Sequence, residues 1–288
     1  MKLARTVEAV RQAVRDARDG GARHVGLVPT MGALHRGHYS LIDAAGRGCD
    51  FVVVSIFVNP TQFGPGEDYQ EYPRSWQADC AGCESRGVDV LFAPSVEEMY
   101  PEGFATTVHV AGLTEGLCGR SRPGHFDGVC TIVSKLFNAV GPDVAFFGAK
   151  DYQQAVVVRR MVADLNMPVR IELCPTVREA DGLALSSRNQ RLSPAERAQA
   201  PALFESLRLA RELVAGGQRA AAEVVAEIRA CLERRAPLGR IDYVEIVHPD
   251  TLRAVEEIDG AVLVAVAVRF ASARLIDNML VDPSAPAD

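Results

Sequence analysis

No stretch of this chain is long and apolar enough to cross a bilayer. The longest apolar stretches, 51–58 and 261–268, fall far short of the roughly 20 residues a spanning helix needs. The opening residues Met1-Lys2-Leu3-Ala4-Arg5 lack the apolar segment of a secretory leader, so a cytoplasmic protein without a membrane partner is expected. Positive charge is also short. The net charge of −6 argues against a general nucleic-acid binder, and any anionic substrate must be met by locally placed cations. Lysine is scarcer still: of 31 basic residues only Lys2, Lys135 and Lys150 are lysine, which makes each more informative, since an ammonium and a guanidinium are not interchangeable.

The seven cysteines are odd in number and follow no framework spacing, which fits a reducing compartment. The lone Cys80-Ala81-Gly82-Cys83 has no second pair and no nearby histidine, so it reads as two half-buried helix cysteines rather than a metal or redox site. No Ser-His-Asp signature or nucleophile elbow is present, and nothing points to a covalent enzyme intermediate. No cluster has metal-ligand spacing; His35 and His38 lack a third ligand, and the metal ligands stay unassigned. Internal repeats and low-complexity segments are absent as well.

What is there is an ordinary globular balance, 48% apolar and 24% charged, over 288 residues, enough for two domains. Thr6 can cap a helix reaching 19, with Val7, Val10 and Val14 at helical spacing and Gly20-Gly21 as its stop. Strands are expected at 24–28, 51–58, 88–92, 143–147 and 169–174. Helices are expected at 39–48, 75–86, 126–140 and 151–165. The alternation implies a Rossmann-like doubly wound parallel sheet in an α/β fold. Beyond about 176 the pattern changes to helices at 194–215 and 220–235, then strands at 241–247, 261–268 and 274–276. A smaller α+β C-terminal domain is expected, with the boundary near 175–185: a nucleotide- and substrate-binding domain over 1–177 and a lid domain over 178–288. The tail, 283–288, is expected to be mobile.

The most specific stretch is Val28-Pro29-Thr30-Met31-Gly32-Ala33-Leu34-His35-Arg36-Gly37-His38. Two histidines three apart stand where a strand hands over to a helix. A helix start offers unpaired N–H groups and partial positive charge to phosphate, and Gly37 permits close approach. Ligands of open parallel sheets bind outside the carboxyl ends of the strands. The loops there include Asn59-Pro60-Thr61-Gln62-Phe63-Gly64 and Gly148-Ala149-Lys150-Asp151-Tyr152-Gln153-Gln154. A further one runs from Pro175-Thr176-Val177 to Leu185-Ser186-Ser187-Arg188-Asn189. Lys150 supplies a point charge for phosphate. Ser186, Ser187 and Arg188 offer two hydroxyls and a guanidinium. Asp151 either caps a helix or accepts from a ribose hydroxyl. Gln62 and Gln154 suit a small hydroxy acid.

Together these segments resemble the pantothenate synthetase (pantoate–β-alanine ligase) family. So do Phe57-Val58-Asn59-Pro60, Ser121-Arg122-Pro123-Gly124-His125-Phe126, Val133-Ser134-Lys135-Leu136-Phe137-Asn138, Asp181-Gly182-Leu183-Ala184 and Arg274-Leu275-Ile276-Asp277-Asn278. The resemblance runs in order along almost the whole chain. It implies ATP-dependent condensation of pantoate with β-alanine through a pantoyl adenylate, releasing AMP and pyrophosphate, with Mg²⁺ accompanying ATP. It further implies ATP contacts at Met31, Gly32, Ala33, Leu34, His35, Arg36, Gly37, His38, Gly148, Ala149, Lys150, Asp151, Val177, Leu185, Ser186, Ser187 and Arg188. His38 would be the proton donor, with His35, Lys150 and Arg188 beside it in catalysis. Gln62 would hold pantoate and β-alanine, Gln154 would hold pantoate, and the protein would be a homodimer. One departure stands out: many members carry Gly-Glu-Lys-Asp where this chain has Gly148-Ala149-Lys150-Asp151, and activity is expected to survive it. Two other readings of the same motif are a nucleotidyltransferase that keeps the nucleotide on its product and a non-catalytic nucleotide sensor.

Overall fold

A computed structural model describes residues 1–284; residues 285–288, the end of the tail expected to be mobile, lie outside the described residues. The chain divides into two compact units. The first comprises 1–114, 122–149 and 154–175; the second comprises 115–121, 150–153 and the described residues from 176 on.

The first unit is built on six strands: β1 (Lys2–Ala4), β2 (Val25–Thr30), β3 (Phe51–Ile56), β4 (Val90–Phe92), β5 (Val144–Gly148) and β6 (Arg170–Cys174). All pair in parallel, in the order β1-β4-β3-β2-β5-β6. The order reverses between β2 and β5, and the crevice at such a switch point is where α/β sheets take ligands. Thr30 stands opposite Ile56 in the register, so the loops leaving β2 and β3 emerge at the same edge. β2 and β3 are apolar on both faces because helices cover both, as a parallel sheet requires. Val28, Ile42, Val54, Leu91 and Phe146 are among the buried residues of one core layer.

Around this sheet lie α1 (Val7–Asp19), α2 (Arg36–Gly48), α3 (Trp76–Glu84), α4 (Val96–Met99), α6 (His125–Val140) and α7 (Tyr152–Asp164). Thr6 caps α1 as its sequence predicts, accepting from Ala9 N at 3.1 Å. The helix after β2 begins three residues earlier than periodicity indicates, at Arg36 rather than 39, because the histidines themselves build its first turn. The strand β1 carries only three residues and no readable alternation; it exists because its backbone pairs with the edge of β4.

In α3, Gly82 packs directly beneath the Tyr39 ring, where any Cβ would collide with it. Of the two cysteines expected to be half-buried, Cys80 is, while Cys83 is fully buried and burial pushes its thiol up to about 12.

The second unit pairs α8 (Pro194–Gln199), α9 (Ala202–Ala215) and α10 (Ala221–Arg235) with an antiparallel sheet, β7 (Arg240–Val247), β8 (Val262–Arg269) and β9 (Arg274–Val281), in the order β7-β8-β9. The single helix expected over 194–215 is interrupted at Ala200–Pro201. Pro201 has no N–H to donate, so α9 starts afresh behind it. Leu203, Leu207, Ala210 and Val214 recur on one face of α9 and are buried with Val264 and Val266 of β8. A short helix, α5 (Leu117–Ser121), belongs to this unit: Cys118 Sγ lies 3.2 Å from the hydroxyl of Tyr243 on β7.

Candidate active site

In the first unit, β2 hands over to α2 through a tightly held turn. Thr30 is buried; its hydroxyl donates to Ser55 O at 2.7 Å and accepts from Gly32 N at 3.2 Å. The backbone then turns left-handed twice, at Gly32 (φ 82°) and at Ala33 (φ 51°), a conformation that disfavours a side chain. Asp79, 2% exposed on α3, holds it there. Its carboxylate accepts from Ala33 N at 2.9 Å, from Leu34 N at 2.8 Å and from the Ser75 hydroxyl at 3.0 Å. A Cβ at Gly32 would stand 3.1 Å from Asp79 Oδ2, so glycine also lets that carboxylate approach.

The two histidines then cap α2 reciprocally. Nδ1 of His35 accepts from Gly37 N at 3.2 Å, and Nδ1 of His38 accepts from His35 N at 3.4 Å. Their ring centroids are 4.1 Å apart. An Nδ1 that accepts leaves the neutral ring's proton on Nε2. Both rings are therefore donors through Nε2, seated at the positive end of a helix.

Gln62 lies at the end of β3's loop and is 9% exposed. Its Nε2 donates to Met31 Sδ at 2.9 Å, and its Oε1 accepts from Asn59 Nδ2 at 3.2 Å. Asn59 is fixed in turn: its Nδ2 also donates to Gly128 O at 3.0 Å, and its Oδ1 accepts from the Tyr100 hydroxyl at 2.7 Å. The backbone oxygen of Gln62 accepts from His125 Nδ1 at 2.8 Å and from Arg122 at 3.2 Å. The same edge of the Arg122 guanidinium, its Nε and the Nη2 that reaches Gln62 O, makes a two-pronged bond to Glu67, at 2.7 and 2.6 Å. Burial pushes the Glu67 carboxyl up, but the bonds and charge of Arg122 outweigh it and hold the group below the usual carboxylate range. Gly148 and Ala149 close β5, and Gln154 is half-buried near the start of α7.

In the second unit, Lys150 is mostly buried, with Nζ 3.7 Å from Asp151 Oδ1. Its backbone oxygen accepts from Asn278 Nδ2 at 2.8 Å. The neighbouring Asp277, 3% exposed on β9, takes both prongs of Arg178 at 2.6 and 3.0 Å, and the Arg178 guanidinium lies 4.0 Å over the Phe204 ring. Burial, the largest influence, pushes the Asp277 carboxyl above its ordinary value, against the lowering effect of Arg178 and Lys150. Leu185 N donates to Val177 O at 3.0 Å, bringing two expected ATP contacts together, and Ser186 Oγ accepts from Arg188 N at 3.3 Å. Gln153, beside Gln154, is structural: its amide bridges Cys118 N and Gly116 O at 3.0 Å each.

Sequence reasoning placed Arg122, His125 and Asp277 within matching segments without a role, and gave no supporting role to Asp79, Glu67 and Arg178. A buried carboxylate that accepts from backbone amides leaves no spacing signal. Asp79 in particular already accepts three hydrogen bonds. Among the described residues no three His, Cys, Asp or Glu side chains converge as a metal site.

A parallel sheet with a histidine-capped helix at its switch point and polar loops on the same edge defines the nucleotide-binding α/β enzymes that work on a phosphate. The comparisons narrow this further. The sequence pattern of the pantoate-beta-alanine ligase family matches residues 2–280. The pantothenate synthetase of Moorella thermoacetica is 55% identical over 285 residues, covering 98% of this chain and 99% of that protein. That of Acetivibrio thermocellus is 54% identical over 284 residues, covering 98% and 100%. The crystal structure of pantothenate synthetase from Thermus thermophilus matches with a TM-score of 0.92 at 51% identity, covering 97% of this chain and 99% of that one. A pantoate-beta-alanine ligase from Francisella tularensis, solved with beta-gamma ATP and beta-alanine, matches with a TM-score of 0.79 at 34% identity over 99% and 100%. This chain belongs to the pantoate–β-alanine ligase family.

Proposed function

We infer that this chain joins pantoate to β-alanine, splitting ATP to AMP and pyrophosphate through a pantoyl adenylate. A carboxylate acylates poorly because oxide would have to leave. When its oxygen attacks the α-phosphate, pyrophosphate departs and the acyl group gains AMP as its leaving group. The β-alanine amine then attacks the acyl carbon and AMP is released. The obstacle is one anion approaching another, so the site must supply aligned donors and positive charge.

The observation that carries this reading is the reciprocal histidine cap. It seats two Nε2–H donors at the positive end of α2, on the switch-point edge, which suits a phosphate. In our proposal the segment Met31-Gly32-Ala33-Leu34-His35-Arg36-Gly37-His38 and Gly148-Ala149-Lys150-Asp151 take the nucleotide with Val177, Leu185, Ser186, Ser187 and Arg188. His38 donates to the reacting phosphate, and Lys150 and Arg188 neutralise the charge that builds there. Gln62 and Gln154 hold pantoate, and Gln62 also meets β-alanine. Mg²⁺ would accompany ATP and screen its phosphate charge. A cytoplasmic homodimer completes the proposal; no described helix is long and apolar enough to cross a membrane.

The test is pantoate-dependent exchange of labelled pyrophosphate into ATP, followed by release of free AMP and an amide when β-alanine is added. Exchange without pantoate, or a product that retains the nucleotide, would overturn the reading.

A further inference from the structure

We propose that Asp79 is a positioning residue for the nucleotide: it sets the shape of the turn that precedes the histidine cap without touching ligand itself. The inference rests on the reading of Met31 to His38 as an ATP-binding segment. Ala33 occupies a left-handed conformation, which a residue with a side chain adopts only when its surroundings enforce it. The two bonds from Ala33 N and Leu34 N to one buried carboxylate are that enforcement. They aim the following residue, His35, whose backbone N–H is the donor in the cap with His38.

One side of the turn borders open space rather than packed side chains. A cavity of about 320 Å³ borders it, lined in part by Met31, Gly32, Arg74, Trp76 and Asp79. The Asp79 bonds therefore do what close-packed side chains would do elsewhere. The third bond, from the Ser75 hydroxyl, orients the carboxylate so that one oxygen faces each amide. With three hydrogen bonds already accepted and 2% exposure, the group is placed to hold backbone rather than to bind a hydrated cation.

The experiment compares wild type, Asp79→Asn, Ser75→Ala and His38→Ala in pantoate-dependent ATP–pyrophosphate exchange, varying ATP, pantoate and Mg²⁺ in turn, with melting temperature recorded for each. Asp79→Asn turns one acceptor into a donor facing a backbone N–H. It is expected to raise the KM for ATP about tenfold or more, the scale of a lost charge-assisted bond, while the KM for pantoate stays within about twofold. Ser75→Ala, which keeps the charge and guards against misfolding of the first variant, is expected to raise the KM for ATP about two- to fivefold. The Mg²⁺ concentration for half-maximal rate should not move in either. An unchanged KM for ATP in both variants would overturn the proposal. So would an Mg²⁺ requirement that rises in step with that KM, which would make Asp79 a metal ligand. If His38→Ala also leaves exchange untouched, it is the assignment of the nucleotide segment that fails instead.

Discussion

The guanidinium of Arg122 stands 3.2 Å from the backbone oxygen of Gln62, sixty positions away in sequence, and the nitrogen that reaches it also joins Nε in gripping Glu67. One arginine thus ties the loop we propose to face pantoate to the segment that follows it. Arg122→Ala is expected to loosen the Gln62 amide and raise the KM for pantoate several-fold, about the scale of one or two lost hydrogen bonds. Arg122→Lys, which keeps charge but not the planar fork, should fall between the two. Initial rates at varied pantoate check this, and a wild-type KM in Arg122→Ala would count against it.

Lys150 is one of three lysines in the chain and is held by its own backbone to Asn278. Lys150→Ala is expected to cut adenylate formation about a hundredfold or more, as when a transition-state donor is removed, while circular dichroism and melting temperature stay near wild type. Near-normal pyrophosphate release would refute its assignment. Ala149→Glu, in contrast, should change turnover little.

Arg178 and Asp277 form a buried, two-pronged pair. Removing one partner strands a charge. Arg178→Ala is expected to destabilise the second unit by about 3–5 kcal/mol. The double variant Arg178→Met with Asp277→Leu should lose less than Arg178→Ala alone, because it leaves no buried carboxylate behind. Denaturant melts of the three proteins decide it.

Glu196 caps its own helix, α8, and accepts from the Ser272 hydroxyl at 2.7 Å and from Ser193 N at 2.8 Å. The Ser272 bond, followed by those from Ser193, holds the carboxyl down at about 2, against an ordinary 4.5. A folded value below the unfolded one means the contribution is present in full above about 4.5 and fades as pH falls toward 2. Thermal melts from pH 6 to 2 should show a decline that is shallower in Glu196→Gln; parallel curves would contradict this.

Much of the architecture was legible because the alternation of buried strands with amphipathic helices is itself the signal for a doubly wound sheet. The Thr6 cap, the apolar β3 and the strand-to-helix histidines all read directly. What escaped was whatever depends on contacts distant in sequence. β1 exists through pairing with β4, the break at Pro201 interrupts an otherwise continuous apolar face, and β9 runs five residues past the three-residue strand expected at 274–276. For the candidate site, His35, His38, Lys150, Arg188, Gln62 and Gln154 could be named from type and spacing, and residues such as Met31, Val177 and Leu185 only from the family resemblance. Their supports could not, because Asp79, Glu67 and Asp277 are ordinary acids until the fold brings backbone amides or a guanidinium to them.

The spacing of 79, 82 and 86 has a practical consequence. Asp79 grips Ala33 and Leu34, Gly82 leaves room for the ring of Tyr39, and the Arg86 guanidinium rests 3.8 Å over that same ring. A stripe of two α3 residues and one from the turn behind the helix therefore braces the chain just before and just after the two histidines. Directed evolution toward another purine or a shortened phosphate chain should place part of its library in this stripe, a region that designs guided by ligand contacts alone would pass over.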